Sequence, residues 1–181
     1  PSYSGIMNQT LSVVIPAYNE EKTIHLILDK VYEVEIEGIQ VEVVIINDCS
    51  TDNTGSLVKT YMEEHPDRTI RFFSQDRNMG KGAAIRRGIE EVAGDFLVIQ
   101  DADLEYDPED YSKLLKPIED GETKVVYGVR TLETQRIIMR LGNEFVTWVT
   151  NIIHGQKLYD METCYKMMKR EIAQKLELEC R

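Results

Sequence analysis

Two aspartates separated by one alanine, Asp101-Ala102-Asp103, follow the apolar run Phe96-Leu97-Val98-Ile99 after a single Gln100. Carboxylates placed this close together repel, and each favours its neutral form. A bound cation removes that penalty. An oxygen-only donor set suits a hard ion, Mg²⁺ or Mn²⁺, which keeps substrate phosphates in its shell. Its work would be to stabilise charge on a departing diphosphate. A second segment, Asn78-Met79-Gly80-Lys81-Gly82-Ala83-Ala84, opens a predicted helix. Its small residues permit close approach, a helix N-terminus attracts anions, and Lys81 adds a positive charge. In a third, Asn47-Asp48-Cys49-Ser50-Thr51-Asp52, Asp48 stands just past a strand end. It is expected to accept hydrogen bonds from a ribose or a base N–H, whereas Ser50, Thr51 and Asp52 are expected to cap the next helix.

The first apolar run ends in Pro16-Ala17-Tyr18-Asn19-Glu20-Glu21. Without a glycine, this turn cannot bring backbone against a pyrophosphate as a Gly-rich dinucleotide site does. A P-loop fails as well: Gly80-Lys81 is followed by Gly82, and Gln75 stands at the earlier glycine position.

These segments need elements to position them. Short β-branched or apolar runs at residues 11–15, 41–46, 70–73, 96–99 and 125–127 read as buried strands. Between them, residues 20–35 repeat apolar side chains at helical spacing (Ile24, Ile27, Leu28, Val31, Val34). Helices are also predicted at residues 51–64, stopped by His65-Pro66, and at residues 81–92, with Gly94 as the stop. Asp107-Pro108 is predicted to open a helix to about residue 119. The alternation predicts an α/β fold, a mostly parallel central sheet with helices on both faces. Ligands in such sheets bind beyond the carboxyl ends of the strands. After Gly128 the pattern changes. Residues 137–153 form a long helical candidate, with a late strand at 163–168 and a last helix at 171–178. The boundaries predicted are an N-terminal extension, 1–10, and one catalytic domain, 11–181, whose end at Arg181 has the look of a truncation.

The 181 residues suit one domain, and 42% hydrophobic with 29% charged residues is ordinary for a globular chain. A formal net charge of −11 disfavours nucleic acid as a partner. The three cysteines, Cys49, Cys164 and Cys180, have no metal-site spacing, nor have His25, His65 and His154. A reduced, cytoplasmic compartment is expected, with no signal peptide and no apolar stretch near the roughly 20 residues that span a bilayer.

Taken together, Val14-Ile15-Pro16-Ala17-Tyr18-Asn19-Glu20-Glu21, Asn47-Asp48-Cys49-Ser50-Thr51-Asp52, Asn78-Met79-Gly80-Lys81-Gly82-Ala83 and Gln100-Asp101-Ala102-Asp103 resemble family 2 glycosyltransferases of the GT-A fold, most of all the dolichol-phosphate mannosyltransferases and related polyprenyl-phosphate glycosyltransferases. Gly128-Val129-Arg130, Leu141-Gly142-Asn143 and Asp160-Met161-Glu162-Thr163-Cys164-Tyr165-Lys166 fit the same subgroup, so that the likeness covers residues 11–170. It implies an inverting transferase taking a UDP- or GDP-linked sugar to a polyprenyl or dolichyl phosphate or a cell-envelope glycan. Pro16, Ala17, Tyr18, Glu20 and Asp48 would hold the nucleoside. Asp101, Ala102 and Asp103, with Lys81, would meet the diphosphate, and Asp101, Asp103 and Glu105 the metal. Arg130, Arg136 and Arg140 would meet an acceptor phosphate, a task for arginine's fork of donors. Asp160 stands where the family places its candidate base. Thr163-Cys164-Tyr165 departs from the Ser-Gly-Phe usual in the mannosyltransferases, which leaves the acceptor open.

The apolar stripe of residues 137–153, with Trp148, could lie on a membrane surface or a prenyl chain at the cytoplasmic face, or pack on the sheet. Two rival functions fit a nucleotide-binding α/β sheet. A nucleotidyltransferase would carry a Gly- and basic-rich loop after the first strand, unlike Pro16-Ala17-Tyr18-Asn19-Glu20. A non-catalytic nucleotide-sugar-binding module would have little need of Asp160.

Overall fold

A computed structural model describes residues 9–128 and 165–175. Its elements, in chain order, are β1 (Gln9–Ala17), α1 (Ile24–Glu33), β2 (Ile39–Asn47), α2 (Thr54–Glu64), β3 (Ile70–Ser74), α3 (Lys81–Glu91) and β4 (Phe96–Ile99). A 3₁₀ turn (Pro108–Asp110) then leads into α4 (Tyr111–Glu119), followed by β5 (Val125–Tyr127), β6 (Lys166–Lys169) and the short α5 (Arg170–Ala173). The α-β alternation predicted from periodicity is present. β1 begins at Gln9, inside the segment expected to be an extension, because Gln9 and Thr10 already pair with Ile39 and Gln40.

The strands form one sheet in the order β3-β2-β1-β4-β6-β5. β1 pairs in parallel with β2 on one side and β4 on the other, and β3 runs parallel to β2. The late strand is antiparallel to both its neighbours and separates β4 from β5. The chain runs outward from β1 to β3, then returns to place β4 on the far side of β1. The carboxyl ends of β1 and β4 therefore flank a topological switch point, where open α/β sheets bind their ligands.

The period-2 alternation of the strands sends side chains to two cores. Val13, Ile15, Val43, Ile45, Phe96 and Val98 face α1, α2 and α4, whose Ile27, Leu28, Val58, Leu115 and Ile118 complete that layer. Val14, Val44, Ile46, Leu97 and Ile99 face α3 and α5 through Ala84, Ile89 and Ala173. α3 lies close to β1: a Cβ on Gly88 would come 2.3 Å from Val14 Cγ1.

The end of α3 is held by an unusual polar group. Glu42, buried on β2, accepts from Ala93 N at 2.8 Å, from Gly94 N at 3.1 Å and from Ser12 Oγ. Gly94 therefore serves differently from the helix stop expected of it. α3 closes earlier, where Val92 turns extended and its N–H still donates to Gly88 O. What Gly94 allows is close approach, since a Cβ there would stand 2.6 Å from both Ser12 Oγ and the Thr10 carbonyl oxygen.

Candidate functional site

Four loops meet at the carboxyl edge around the switch point, enclosing a cleft of about 380 Å³. The β1 end supplies Pro16, Ala17, Tyr18 and Glu20, the β2 end Asp48, and the β4 end Asp101, Ala102 and Asp103. The start of α3 closes the cleft with Asn78, Gly80, Lys81 and Ala84. The nine residues expected to meet a donor are thus brought together. Asn78, Gly80 and Ala84 belong to a segment the sequence singled out, yet only Lys81 of it was expected in the site.

Backbone strain concentrates in these loops. Among the described residues, the non-glycine positions with positive φ are Asn19 (57°), Cys49 (60°) and Leu104 (64°), one in each loop after β1, β2 and β4. Gly80, before α3, has φ 86°. Left-handed backbone at non-glycine residues costs of order 1–3 kcal/mol each and persists where the surroundings over-determine it.

Here hydrogen bonds between loops do so. Asn19 Oδ1 accepts from Thr51 N at 2.8 Å, and Asn19 N donates to Ser50 Oγ at 3.0 Å. Glu20 N donates to Thr54 Oγ1 at 2.8 Å and Glu21 N to Asp52 Oδ2 at 3.1 Å. Ser50 and Thr51 are therefore braces between loops rather than caps, and α2 starts only at Thr54. Asp52 does cap in effect, accepting from Thr54 N at 3.0 Å and Thr54 Oγ1 at 2.6 Å. Burial acts to raise its pKa. The bonds from Thr54 and from the Glu21 backbone outweigh that and hold it below the ordinary carboxylate value.

Asp48 is 3% exposed. Its Oδ1 accepts from Gln75 Nε2 at 2.7 Å and Met79 N at 2.8 Å, and its Oδ2 from Gly80 N at 2.7 Å. An ionised carboxylate has about four acceptor positions, so three of them shape the loop before α3. The expected role for Asp48 as an acceptor of ligand hydrogen bonds is therefore joined by a structural one.

Asp101, 8% exposed, is paired with Lys81, whose Nζ lies 2.7 Å from its carboxylate. The lysine ammonium stands in for a cation at the place expected to bind one. Asp103 Oδ1 accepts from Glu105 N at 3.0 Å, closing a turn through the left-handed Leu104. The cleft lining ends at Asp103. No three His, Cys, Asp or Glu side chains gather as a metal set among the described residues, and of the three expected metal ligands Asp101 and Asp103 line the cleft. Two hard carboxylates beside an existing positive charge still fit a divalent ion of the kind that draws its remaining ligands from phosphates and water.

Behind Asp101 lies a polar cluster that the sequence reading missed. Gln100, fully buried, donates from Nε2 to the Asp101 carbonyl oxygen at 3.0 Å. Its Oε1 accepts from Tyr111 Oη at 2.7 Å and Tyr165 Oη at 2.8 Å. Burial drives both phenols well above their ordinary pKa, so they remain neutral donors. Tyr106 packs on Tyr165 with ring centroids 4.5 Å apart.

Arg130, Arg136, Arg140, Asp160 and the helical candidate at 137–153 lie outside the described residues. The two flanks of that segment are close together. Gly128 N donates to Tyr165 O at 2.8 Å, and Tyr127 pairs with Lys166 across β5 and β6. Because β5 runs in the same sense as β4, both flanks sit at the carboxyl edge that carries the cleft. No helix among the described residues is long and apolar enough to cross a membrane.

The profile of the family described as glycosyl transferase family 2 matches residues 12–176. A dolichyl-phosphate beta-glucosyltransferase of Dictyostelium discoideum is 31% identical over 189 residues, covering 94% of this chain and 57% of that protein. A mannosyltransferase of Pyrobaculum calidifontis, solved with GDP-Man and Mn²⁺, superposes with TM-score 0.67 at 24% identity over 92% of this chain and 46% of that one. Glucosyl-3-phosphoglycerate synthase of Mycobacterium tuberculosis, solved with Mn²⁺, UDP and phosphoglyceric acid, gives TM-score 0.70 at 22% identity, over 91% of this chain and 57% of that one. The chain thus spans about half the length of these relatives, and its fold is the expected GT-A arrangement. With the family profile extending from within β1 to beyond α5, the chain belongs to glycosyl transferase family 2.

Proposed function

We propose that this chain is the catalytic part of an inverting glycosyltransferase that moves a sugar from a UDP- or GDP-linked donor to a phosphate-bearing acceptor, a polyprenyl or dolichyl phosphate. The observation that carries this reading is the meeting of Asp101, Asp103, Lys81 and the start of α3 in one cleft at the switch point. The nucleoside would lie against Pro16, Ala17 and Tyr18, an exposed residue whose ring could cover a base or ribose. Asp101 and Asp103 would hold Mg²⁺ or Mn²⁺, which supplies charge neutralisation for the leaving diphosphate. Lys81 would shift its ammonium from Asp101 toward the phosphates, adding a positive charge where negative charge develops.

The acceptor side rests on the segment rooted at Gly128 and Tyr165. Arg130, with Arg136 and Arg140, would grip the acceptor phosphate. A phosphate acceptor is already anionic, so Asp160 would orient it. A hydroxyl acceptor would instead need Asp160 to take its proton. The Dictyostelium relative is named for a dolichyl-phosphate acceptor and the Mycobacterium neighbour was solved with a phosphorylated acid, which supports a phosphate on the acceptor. Such a lipid acceptor would place the protein against a membrane, at its cytoplasmic face.

The direct test is thermal unfolding with Mn²⁺ and a panel of UDP- and GDP-linked sugars. A ligand at about 100 times its Kd adds roughly 2.7 kcal/mol. For a domain of this size that is a shift of about 5–10 °C. A shift with one base, lost in Asp103→Asn, supports the donor site, and turnover to a short-chain polyprenyl phosphate then supports the acceptor. No shift with any donor overturns the reading.

A further inference from the structure

Gln100 is the last buried residue before the acidic loop, and both ends of its amide are engaged. Both lone pairs of Oε1 are taken by phenols, Tyr111 at 2.7 Å and Tyr165 at 2.8 Å. That fixes which way round the amide sits, and its Nε2 is therefore aimed at the Asp101 carbonyl oxygen 3.0 Å away. A buried amide with both ends occupied has one orientation. The two phenols come from different parts of the chain. Tyr111 opens α4, and Tyr165 follows the segment that carries Arg130 and Asp160. Tyr165 is further tied to the other flank of that segment, since its carbonyl accepts from Gly128 N at 2.8 Å. A Cβ on Gly128 would stand 2.8 Å from Tyr165 Cβ, so the contact leaves no slack.

We propose that Gln100 is the positioning residue for the Asp101–Asp103 loop, with Tyr111 and Tyr165 as the two hydroxyls that lock its amide. Lys81 also holds the loop, through its ion pair with the Asp101 carboxylate, but that contact reaches the side chain and not the backbone. The loop's own local bond runs from Glu105 N to Asp103 Oδ1, within the turn that contains the strained Leu104. Gln100 ties that loop to the sheet through its backbone, Gln100 N donating to Val14 O at 2.9 Å, and to α4 and the residue before β6 through its side chain. Through Tyr165, the acidic loop and the paired ends of β5 and β6 share one amide. Because either hydroxyl can keep the amide oriented, the two tyrosines act as alternatives, and their removal is more than additive.

The experiment compares wild type with Tyr111→Phe, Tyr165→Phe and the double variant, which retain the rings and remove only the hydroxyls. Backbone hydrogen exchange of residues 101–105 is read first, because it does not depend on the reading of the cleft as a donor site. Mn²⁺ affinity, from the free-ion signal in paramagnetic resonance, is read second and does rest on that reading. Each single variant is expected to raise exchange in the loop by about threefold or less, and the double variant by more than tenfold, with Mn²⁺ binding weakened by a similar factor. A double variant whose loop exchange stays at the wild-type rate while its melting temperature falls overturns the proposal, since the tyrosines then serve packing alone. Faster loop exchange in a protein whose wild type binds no Mn²⁺ supports the positioning role and sinks the metal site instead.

Discussion

Lys81 Nζ lies 2.7 Å from the Asp101 carboxylate, so the ammonium and a metal ion would compete for the same oxygens. Half of the lysine side chain is exposed, and an ion pair of this kind contributes no more than about 1 kcal/mol. Removing it should act in opposite directions on the two ligands. In Lys81→Met the nucleotide-free protein is expected to bind Mn²⁺ about three- to tenfold more tightly, having lost both a competitor and a repelling charge. The same variant should bind the nucleoside diphosphate several-fold more weakly. Titration calorimetry with Mn²⁺ alone, then with UDP and GDP, reads both; weaker binding of both ligands would show that Lys81 supports the fold of the cleft instead.

Asp48→Asn should be a stability variant as well as a binding one. The carboxylate accepts from Gln75 Nε2, Met79 N and Gly80 N, and an amide in its place turns its NH₂ toward at least one of these donors. Hydrogen bonds to a charged, buried acceptor are worth about 1.5–3 kcal/mol. Chemical denaturation is expected to show a loss of about that size with no nucleotide present. Unchanged stability would mean that the loop before α3 is held by other groups.

The chemistry-bearing loops were legible because each polar motif follows an unbroken apolar run, and a run that ends in Asp-Ala-Asp or Asn-Asp marks a strand end. What escaped the sequence was long-range. Tyr165 lies 65 positions from the Gln100 it bonds, and no local pattern couples them. A late strand was expected, but its insertion between β4 and β5 was equally hidden, because strand order depends on contacts far apart in the chain. Ser50 and Thr51 have good capping chemistry, but Asn19, brought in from the loop after β1, took them as partners.

The glycines that let α3 and its exit loop close on the sheet make different predictions. Gly88→Ala places a Cβ 2.3 Å from Val14 Cγ1, a side-chain clash in a packed layer. It should cost about 1–3 kcal/mol, and adding Val14→Ala should recover part of the loss. Gly94→Ala meets both Ser12 Oγ and the Thr10 carbonyl oxygen at 2.6 Å. Trimming the serine leaves the carbonyl in place, so Ser12→Ala is expected not to rescue it. Melting temperatures of the two double variants distinguish the cases; rescue of Gly94→Ala by Ser12→Ala would show that the backbone there can move.

Alkaline stability should report on the buried phenols. Burial raises the pKa of Tyr111 and of Tyr165 above the ordinary value of 10.0, and the charges of Asp107, and for Tyr165 also Asp110, push the same way. The folded state thus favours the neutral phenol, while the unfolded chain ionises near the ordinary value. Their contribution to stability is complete below pH 10 and is lost as the pH rises above it toward the folded-state values. Over that window each such tyrosine should steepen the fall by about 1.4 kcal/mol per pH unit. Urea midpoints measured across it should therefore fall less steeply in Tyr165→Phe than in wild type, and less steeply again in the Tyr111→Phe, Tyr165→Phe double variant. Equal slopes in all three would mean that these phenols ionise in the folded protein, and that neither hydroxyl is held as a donor to Gln100.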